Sequence, residues 1–334
     1  MNPTDLHDSP VLIALDWGTS SLRAYALGAG GRVLASRRSE HGIMHLPVAA
    51  SGLAADRFEA ALQGVCGEWL QEHPDVPLLA CGMVGSAQGW KEAAYQPLPS
   101  RAADLSHAFT VVPRGSGPSL HIVPGLIQRG ELPNVMRGEE TQIAGVLQSL
   151  TLDGDPLHCM VIGLPGTHSK WALVEDGAVT RFETFMTGEI FAALCQHTLL
   201  GRTMAINAAF DEKAFTRGLR VARSPEGALG VLSNVFSSRT LGLTGSLPPT
   251  SQPDYLSGLL IGHEVAALAG ALLGDGLRVV LCGEPSLCQR YAAALEVHGQ
   301  DSPLIRTEVT PMGLWCIAQA GGLLEPQTPF SASP

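Results

Sequence analysis

Residues 14–27, ALDWGTSSLRAYAL, carry an apolar run into Asp16 and then into Gly18, Thr19, Ser20 and Ser21, with Arg23 just beyond. Residues 161–174, VIGLPGTHSKWALV, repeat the order: an apolar run, then Gly166, Thr167, His168 and Ser169, then Lys170. In a Gly-Thr-x-Ser turn between two strands, glycine permits tight reversal and close approach. Backbone N–H groups and short hydroxyls then face one way, which makes an anion cradle of phosphate size. A carboxylate closing the first strand, Asp16, can hold a metal ion beside the same phosphate, directly or through water. His168 can donate to a phosphate oxygen, and Lys170 offers a point charge. One such turn is ordinary hairpin composition. Two copies, each leading off a three-strand meander, are read as two grips on one polyphosphate.

A phosphate cradle admits phosphoryl-transfer chemistry, which calls for a proton acceptor and a seat for the group that receives the phosphate. RGEETQ places Glu139 and Glu140 directly after a glycine, and the spacing leaves open which of the two takes the proton. Arg129 and Arg137 flank GELPNVM, and an arginine fork matches a planar carboxylate. In GSAQGW, Ser86 and Gln88 can hydrogen-bond hydroxyls while Trp90 offers a flat apolar wall. RVVLCGEPSL is an apolar run that ends at Gly283 before a helix-like segment. His263 and Glu264 sit on a long apolar helix and read as a satisfied core pair.

The elements that must position these groups follow from periodicity and turn residues. Strands are predicted at 11–16, 22–27, 32–38 and 76–82, with an amphipathic helix over 53–71. An irregular excursion at 91–117 precedes one strand over SLHIVPGL and a helix over RGEETQIAGVLQSL, whose first-turn acids suit the helix dipole. The polar turn TLDGDP divides the chain into an N-terminal lobe, 1–150, and a C-terminal lobe, 151–334. Beyond it come strands at 158–164, 169–174 and 178–184 and a helix at 189–200. A mostly helical segment, 202–247, leads to a long helix at 255–273, a strand at 278–282 and a helix at 287–298.

Composition narrows the class. A chain of 334 residues exceeds one hydrophobic core, so two lobes are expected. A net charge of −10 with scattered basic residues argues against nucleic acid as a partner. Seven cysteines without a C-x-x-C pair point to reduced thiols and a cytoplasmic protein. The first ten residues lack the basic and apolar regions of a signal peptide. The most apolar window, 256–273, contains His263, Glu264 and glycines, and reads as a buried helix, with no membrane partner expected.

LDWGTSSLRAYAL is similar to the first phosphate motif of the superfamily that contains sugar kinases, hexokinase, actin and the Hsp70 chaperones. GLPGTHSKWALV resembles its second phosphate motif, and RVVLCGEPSL its adenosine motif. More closely, ALDWGTSSLRAY, GMVGSAQGW, PGLIQRGELPNVMRGEETQIAG, LPGTHSKWALV and YLSGLLIGHE resemble the 2-dehydro-3-deoxygalactonokinases over most of the chain. The resemblance implies an α/β protein of two ribonuclease H-like (actin/hexokinase-type) lobes, each a mixed sheet flanked by helices, with an interlobe cleft. It implies ATP and Mg²⁺, held by Asp16, Gly18, Thr19, Ser20, Ser21 and Arg23 on one side and by Gly166, Thr167, His168, Ser169, Lys170 and Gly283 on the other. The metal falls to Asp16 alone, because Leu164-Pro165 stands where the second loop often opens with an acid. The implied reaction phosphorylates the small sugar acid 2-dehydro-3-deoxy-D-galactonate at its 6-position in galactonate catabolism. Ser86, Gln88, Trp90, Arg129 and Arg137 would then seat the acceptor, with Glu139 or Glu140 as base. A phosphohydrolase of the exopolyphosphatase type and a non-catalytic ATP-dependent clamp are the rival readings. Assembly into a homo-oligomer is left open.

Overall fold

The computed structural model describes residues 9–48, 53–155, 158–205, 209–274, 277–300 and 302–324. Most of the N-terminal decapeptide and the end of the TLDGDP turn lie outside the described residues. The chain forms two compact units, one of residues 1–157, 177–181 and 308–334, the other of 158–176 and 182–307. The expected divide at 150/151 is linear, whereas these units are interleaved.

The first unit begins with the meander β1 (Leu12–Trp17), β2 (Leu22–Leu27) and β3 (Val33–Ser39), followed by α1 (Ala54–Glu72) and β4 (Leu78–Gly82). Then come β5 (Tyr95–Pro97), α2 (Ala102–Ser106), β6 (Thr110–Val112), β7 (Leu120–Ile122), β8 (Gly125–Gln128), β9 (Asn134–Met136) and α3 (Glu139–Leu152). The main sheet runs β3-β2-β1-β4-β7-β6, with β1, β4 and β7 parallel. Parallel pairing of β1 with β4 requires a crossover, which α1 supplies by burying Phe58, Leu62, Val65, Trp69 and Leu70. Leu53, expected on that apolar face, is exposed at the N-cap. SLHIVPGL is two strands rather than one. Pro124 has no N–H to continue a ladder, so β7 stays in the main sheet while β8 joins a separate sheet, β5-β8-β9.

The second unit repeats the plan with β10 (Cys159–Leu164), β11 (Ser169–Glu175) and β12 (Ala178–Phe185). It continues through α4 (Thr187–His197), α5 (Glu212–Val221), α6 (Val231–Asn234), α7 (Ser237–Leu243) and α8 (Gln252–Ala271). The last elements are β13 (Arg278–Cys282), α9 (Pro285–Val297) and β14 (Leu304–Arg306). Its sheet order, β12-β11-β10-β13-β14, matches β3-β2-β1-β4-β7 strand for strand, so each unit carries the ribonuclease H-like arrangement. The chain then returns to the first unit as α10 (Thr310–Ala320), which packs on α3, α2 and β1. Neither β14 nor α10 is predicted from the sequence.

Helix α8 is apolar nearly all round and buried, as its composition implies. Among the described residues no helix is long and apolar enough to cross a membrane. All seven cysteines are free.

Candidate functional site

In the first unit the β1–β2 turn is closed by Gly18 N–H donating to the Ser21 carbonyl at 2.9 Å. Ile43 and Met44 N–H groups donate to the Gly18 and Thr19 carbonyls, each at 3.1 Å, and Trp17 Nε1 donates to the His41 carbonyl at 3.0 Å. A Cβ on Gly42 would fall 2.4 Å from the turn backbone, so this brace admits only glycine. The Gly18, Thr19 and Ser21 carbonyls are thereby occupied. Thr19 and Ser20 are exposed, and their N–H groups have no protein partner among the described residues, the polarity an anion requires.

Asp16 faces Arg23 across the hairpin, Oδ2 to Nη1 3.8 Å, and is half-buried. Burial pushes its carboxyl above the usual carboxylate range, and Arg23 opposes that shift. Asp16 pairs in register with Cys81 of β4, whose thiol is pushed well up by burial and by the charges of Asp16 and Glu140. Gly82 (φ +89°) and Gly138 (φ +108°) let the start of α3 approach this point, since a Cβ on Gly138 would lie 3.3 Å from Gly82 Cα. Asp16 and the Glu139-Glu140 pair therefore converge at the carboxyl ends of parallel strands, where open α/β sheets bind ligands.

The two glutamates differ. Glu140 is 2% exposed, accepting from Gly138 N–H at 2.6 Å and from Thr141 Oγ1 at 3.0 Å. Burial, then the neighbouring Glu139 charge, push its carboxyl up to about 7. Glu139 is half-buried and accepts from Arg137 N–H at 3.0 Å.

Among the expected acceptor residues, Ser86 is buried with its hydroxyl unpartnered among the described residues, and Gln88 is exposed. Arg137 donates from Nη2 to the Ala93 carbonyl at 2.7 Å and lies 4.4 Å above the Tyr95 ring, while its Nε and Nη1 are buried without partners among the described residues. Arg129 is exposed between β8 and β9, so the two arginines occupy different environments. Trp90 is not a free wall. The loop folds back through Trp90 N–H to the Val84 carbonyl, and the ring stacks on Phe58 with centroids 5.7 Å apart, edge-on to Trp17.

In the second unit the start of α4 braces the β10–β11 turn. A Cβ on Gly188 would fall 2.5 Å from the Gly166 carbonyl oxygen, Glu189 N–H donates to the Thr167 carbonyl, and His168 pairs with the Glu189 carboxylate. Gly283 abuts the same turn, its Cβ position 3.3 Å from the Pro165 carbonyl oxygen. Ser169 and Lys170, expected at phosphate, point elsewhere. Strand alternation sends the fully buried Ser169 hydroxyl to Tyr291 at 2.9 Å and the Lys170 ammonium to Thr184 at 2.8 Å.

His263 and Glu264 do not pair with each other, because adjacent helical residues project about 100° apart. His263 meets Asn234 at 2.8 Å, and burial pushes its imidazole down. Glu264 accepts from Trp171 Nε1 and from the Tyr291 hydroxyl, both at 2.7 Å. Burial pushes its carboxyl up, and the indole and hydroxyl groups around it, Trp171 and Tyr291 among them, oppose that shift.

Beside this turn lies a cavity of about 410 Å³. Gly166, Thr167, Thr187 and Gly188 form one part of its lining, Phe191, Leu260, Ile261 and Leu287 its apolar wall, and Ser257, Arg290 and Tyr291 its remaining polar groups. Size and lining suit a nucleoside-sized ligand. Of these residues sequence reasoning named Gly166 and Thr167 and missed the others. YLSGLLIGHE and CGEPSL marked the right helices without showing which faces turn inward.

The chain matches the family described as 2-keto-3-deoxy-galactonokinase over residues 16–317. It is 35% identical over 291 residues to the 2-dehydro-3-deoxygalactonokinase of Escherichia coli (strain K12), covering 86% of this chain and 90% of that one. It is 39% identical over 291 residues to a Rhizobium meliloti (strain 1021) protein named probable 2-dehydro-3-deoxygalactonokinase DgoK1, covering 86% and 89%. A crystal structure from Sinorhizobium meliloti, described as that of a candidate 2-dehydro-3-deoxygalactonokinase, superposes with a TM-score of 0.81 at 36% identity, covering 92% of this chain and 98% of that one. With both Gly-Thr-x-Ser turns and the Gly-Glu-Glu block inside the matched span, the chain belongs to the 2-keto-3-deoxy-galactonokinase family.

Proposed function

We propose that this chain transfers the γ-phosphoryl group of ATP to 2-dehydro-3-deoxygalactonate, giving ADP and the 6-phosphate, as a cytoplasmic step of galactonate catabolism. The observation that carries this reading is the family match over residues 16–317, with two relatives named for this activity at 35% and 39% identity.

The apolar cavity of the second unit takes the nucleoside, with Gly283 behind the phosphate turn at Gly166 and Thr167, and His168 beside it. In the first unit, the N–H groups of the turn from Gly18 to Ser21 hold phosphate oxygens, with Arg23 nearby. The donor set fits Mg²⁺. This ion usually keeps several waters and takes one or two carboxylates plus substrate phosphates, and among the described residues Asp16 has a single ion pair, the long contact with Arg23. Bound there, Mg²⁺ would neutralise charge on the transferred group. The acceptor's 6-hydroxyl oxygen bonds to the γ-phosphorus as the β–γ bridging bond breaks, and its proton passes to the Glu139-Glu140 pair. Of the two, Glu139 is the more accessible. The unpartnered Nε and Nη1 of Arg137 suit the acceptor's carboxylate, and Ser86 and Gln88 suit its hydroxyls. Arg129 contributes positive charge from the surface, and Trp90 supports this loop from the core.

The test is ADP release from ATP and Mg²⁺ with 2-dehydro-3-deoxygalactonate, its gluconate epimer, a plain hexose, or no acceptor. Release that requires the galactonate compound, with phosphorylated sugar acid formed in equal amount, is expected. Release indifferent to any sugar would return the chain to the phosphohydrolase reading. Glu139→Gln and Glu140→Gln, assayed in parallel, identify the base as the variant with the larger fall in kcat.

A further inference from the structure

We propose that Glu264 is a positioning residue for nucleotide binding, holding the second phosphate turn and two walls of the adjoining cavity through one buried carboxylate. The proposal rests on reading that cavity as the nucleotide site.

Glu264 is 3% exposed and is not part of the cavity lining, so it acts through other residues. The indole N–H of Trp171 can only donate, which makes Oε1 its acceptor at 2.7 Å. The Tyr291 hydroxyl has one proton and gives it to Oε2 at 2.7 Å. Ser169, 2.9 Å from the same phenol oxygen, must therefore donate to it. The Thr187 hydroxyl also draws this carboxyl down. These groups come from three elements: Ser169 and Trp171 from β11 just past the turn, Thr187 from the first position of α4, and Tyr291 from α9. Thr187 and Tyr291 line the cavity, and the residue after Thr187 is the glycine packed on the turn. One acceptor on α8 thus sets where the turn, the start of α4 and the α9 wall stand. Removing it leaves a buried indole N–H and buried hydroxyls without their acceptor, so those elements must shift to recover partners.

The test uses the full-length protein and reads ATP affinity by calorimetry without acceptor, together with KM for each substrate and kcat. Glu264→Ala is expected to weaken ATP binding and raise KM for ATP by about tenfold or more, with KM for the sugar acid within about twofold. Glu264→Gln should restore most of the affinity. Its amide oxygen can serve Trp171, and its amide nitrogen can donate to Tyr291, whose hydroxyl both donates and accepts. Tyr291→Phe should fall between the two. Unchanged ATP affinity in folded Glu264→Ala, equal losses for both substrates, or a Gln variant as impaired as Ala would each overturn the proposal. If Glu264→Ala does not fold, Tyr291→Phe decides, and wild-type affinity there is the overturning result. Wild-type protein that binds ATP but phosphorylates no sugar acid would sink the substrate assignment and leave this comparison intact. Wild-type protein without ATP affinity would overturn both.

Discussion

Glu140 shows how far a residue's surroundings change what its type promises. As a buried carboxyl whose value is raised from 4.5 to about 7, it favours the folded state most when protonated. Its contribution is therefore complete below pH 4.5 and is lost as the pH rises through about 7, a span worth up to about 3 kcal/mol. Glu140→Gln should abolish this dependence, so that the variant gains on the parent between pH 5 and pH 8 in urea unfolding. Equal pH slopes for the two proteins would refute the assignment. Residue types at the Gly-Thr-x-Ser turns and the Gly-Glu-Glu block were legible in the sequence, but burial was not. Ser169, Lys170 and Trp90 carry suitable chemistry, yet each spends it inside the protein, because a string of residues does not state which partner a side chain will meet.

At the scale of elements, glycines decide which helices touch. A Cβ on Gly313 of α10 would fall 1.9 Å from the Thr141 carbonyl oxygen, and one on Gly145 of α3 would fall 2.1 Å from that of Val309. Gly258 of α8 meets α5 in the same way, its Cβ position 2.0 Å from the Phe215 carbonyl oxygen. Gly313→Ala gains at most about 1 kcal/mol of helix propensity. Overpacking against backbone should cost more, for a net loss of roughly 1–3 kcal/mol by thermal or urea unfolding. Because α3 begins with Glu139 and Glu140, kcat should fall with it. A variant as stable as the parent would show that α10 can slide without cost. The long periodic helices and the three-strand meanders were readable from alternation and spacing. β14 has three residues and α10 is apolar on nearly every face, so neither offered a period to read.

For the whole molecule, the interleaved course of the chain has a mechanical consequence. Leu314, Ile317 and Ala318 of α10 are fully buried in the unit built from the N-terminal residues, and Trp315 packs against Gly31. Truncation after Thr307 would expose the β-sheet face and α3 surface they cover, removing roughly 1.5–3 kcal/mol for each large apolar side chain. The shortened protein should lose its near-ultraviolet dichroism and become sensitive to proteases within residues 9–155. Retention of a protected N-terminal fragment would contradict this. The amino-acid sequence by itself determined the duplication, the two tight hairpin turns and the α/β class, because each is encoded in neighbouring residues: an apolar run, a Gly-Thr-x-Ser turn, a second run. Only the tertiary structure decided that the last helix belongs with the first strands, that one carboxylate accepts from both Trp171 and Tyr291, and that a nucleoside-sized cavity opens beside the second turn. Those features join residues far apart in the chain, 93 positions between Trp171 and Glu264 and 122 between Ser169 and Tyr291, and packing, not local periodicity, selects such partners.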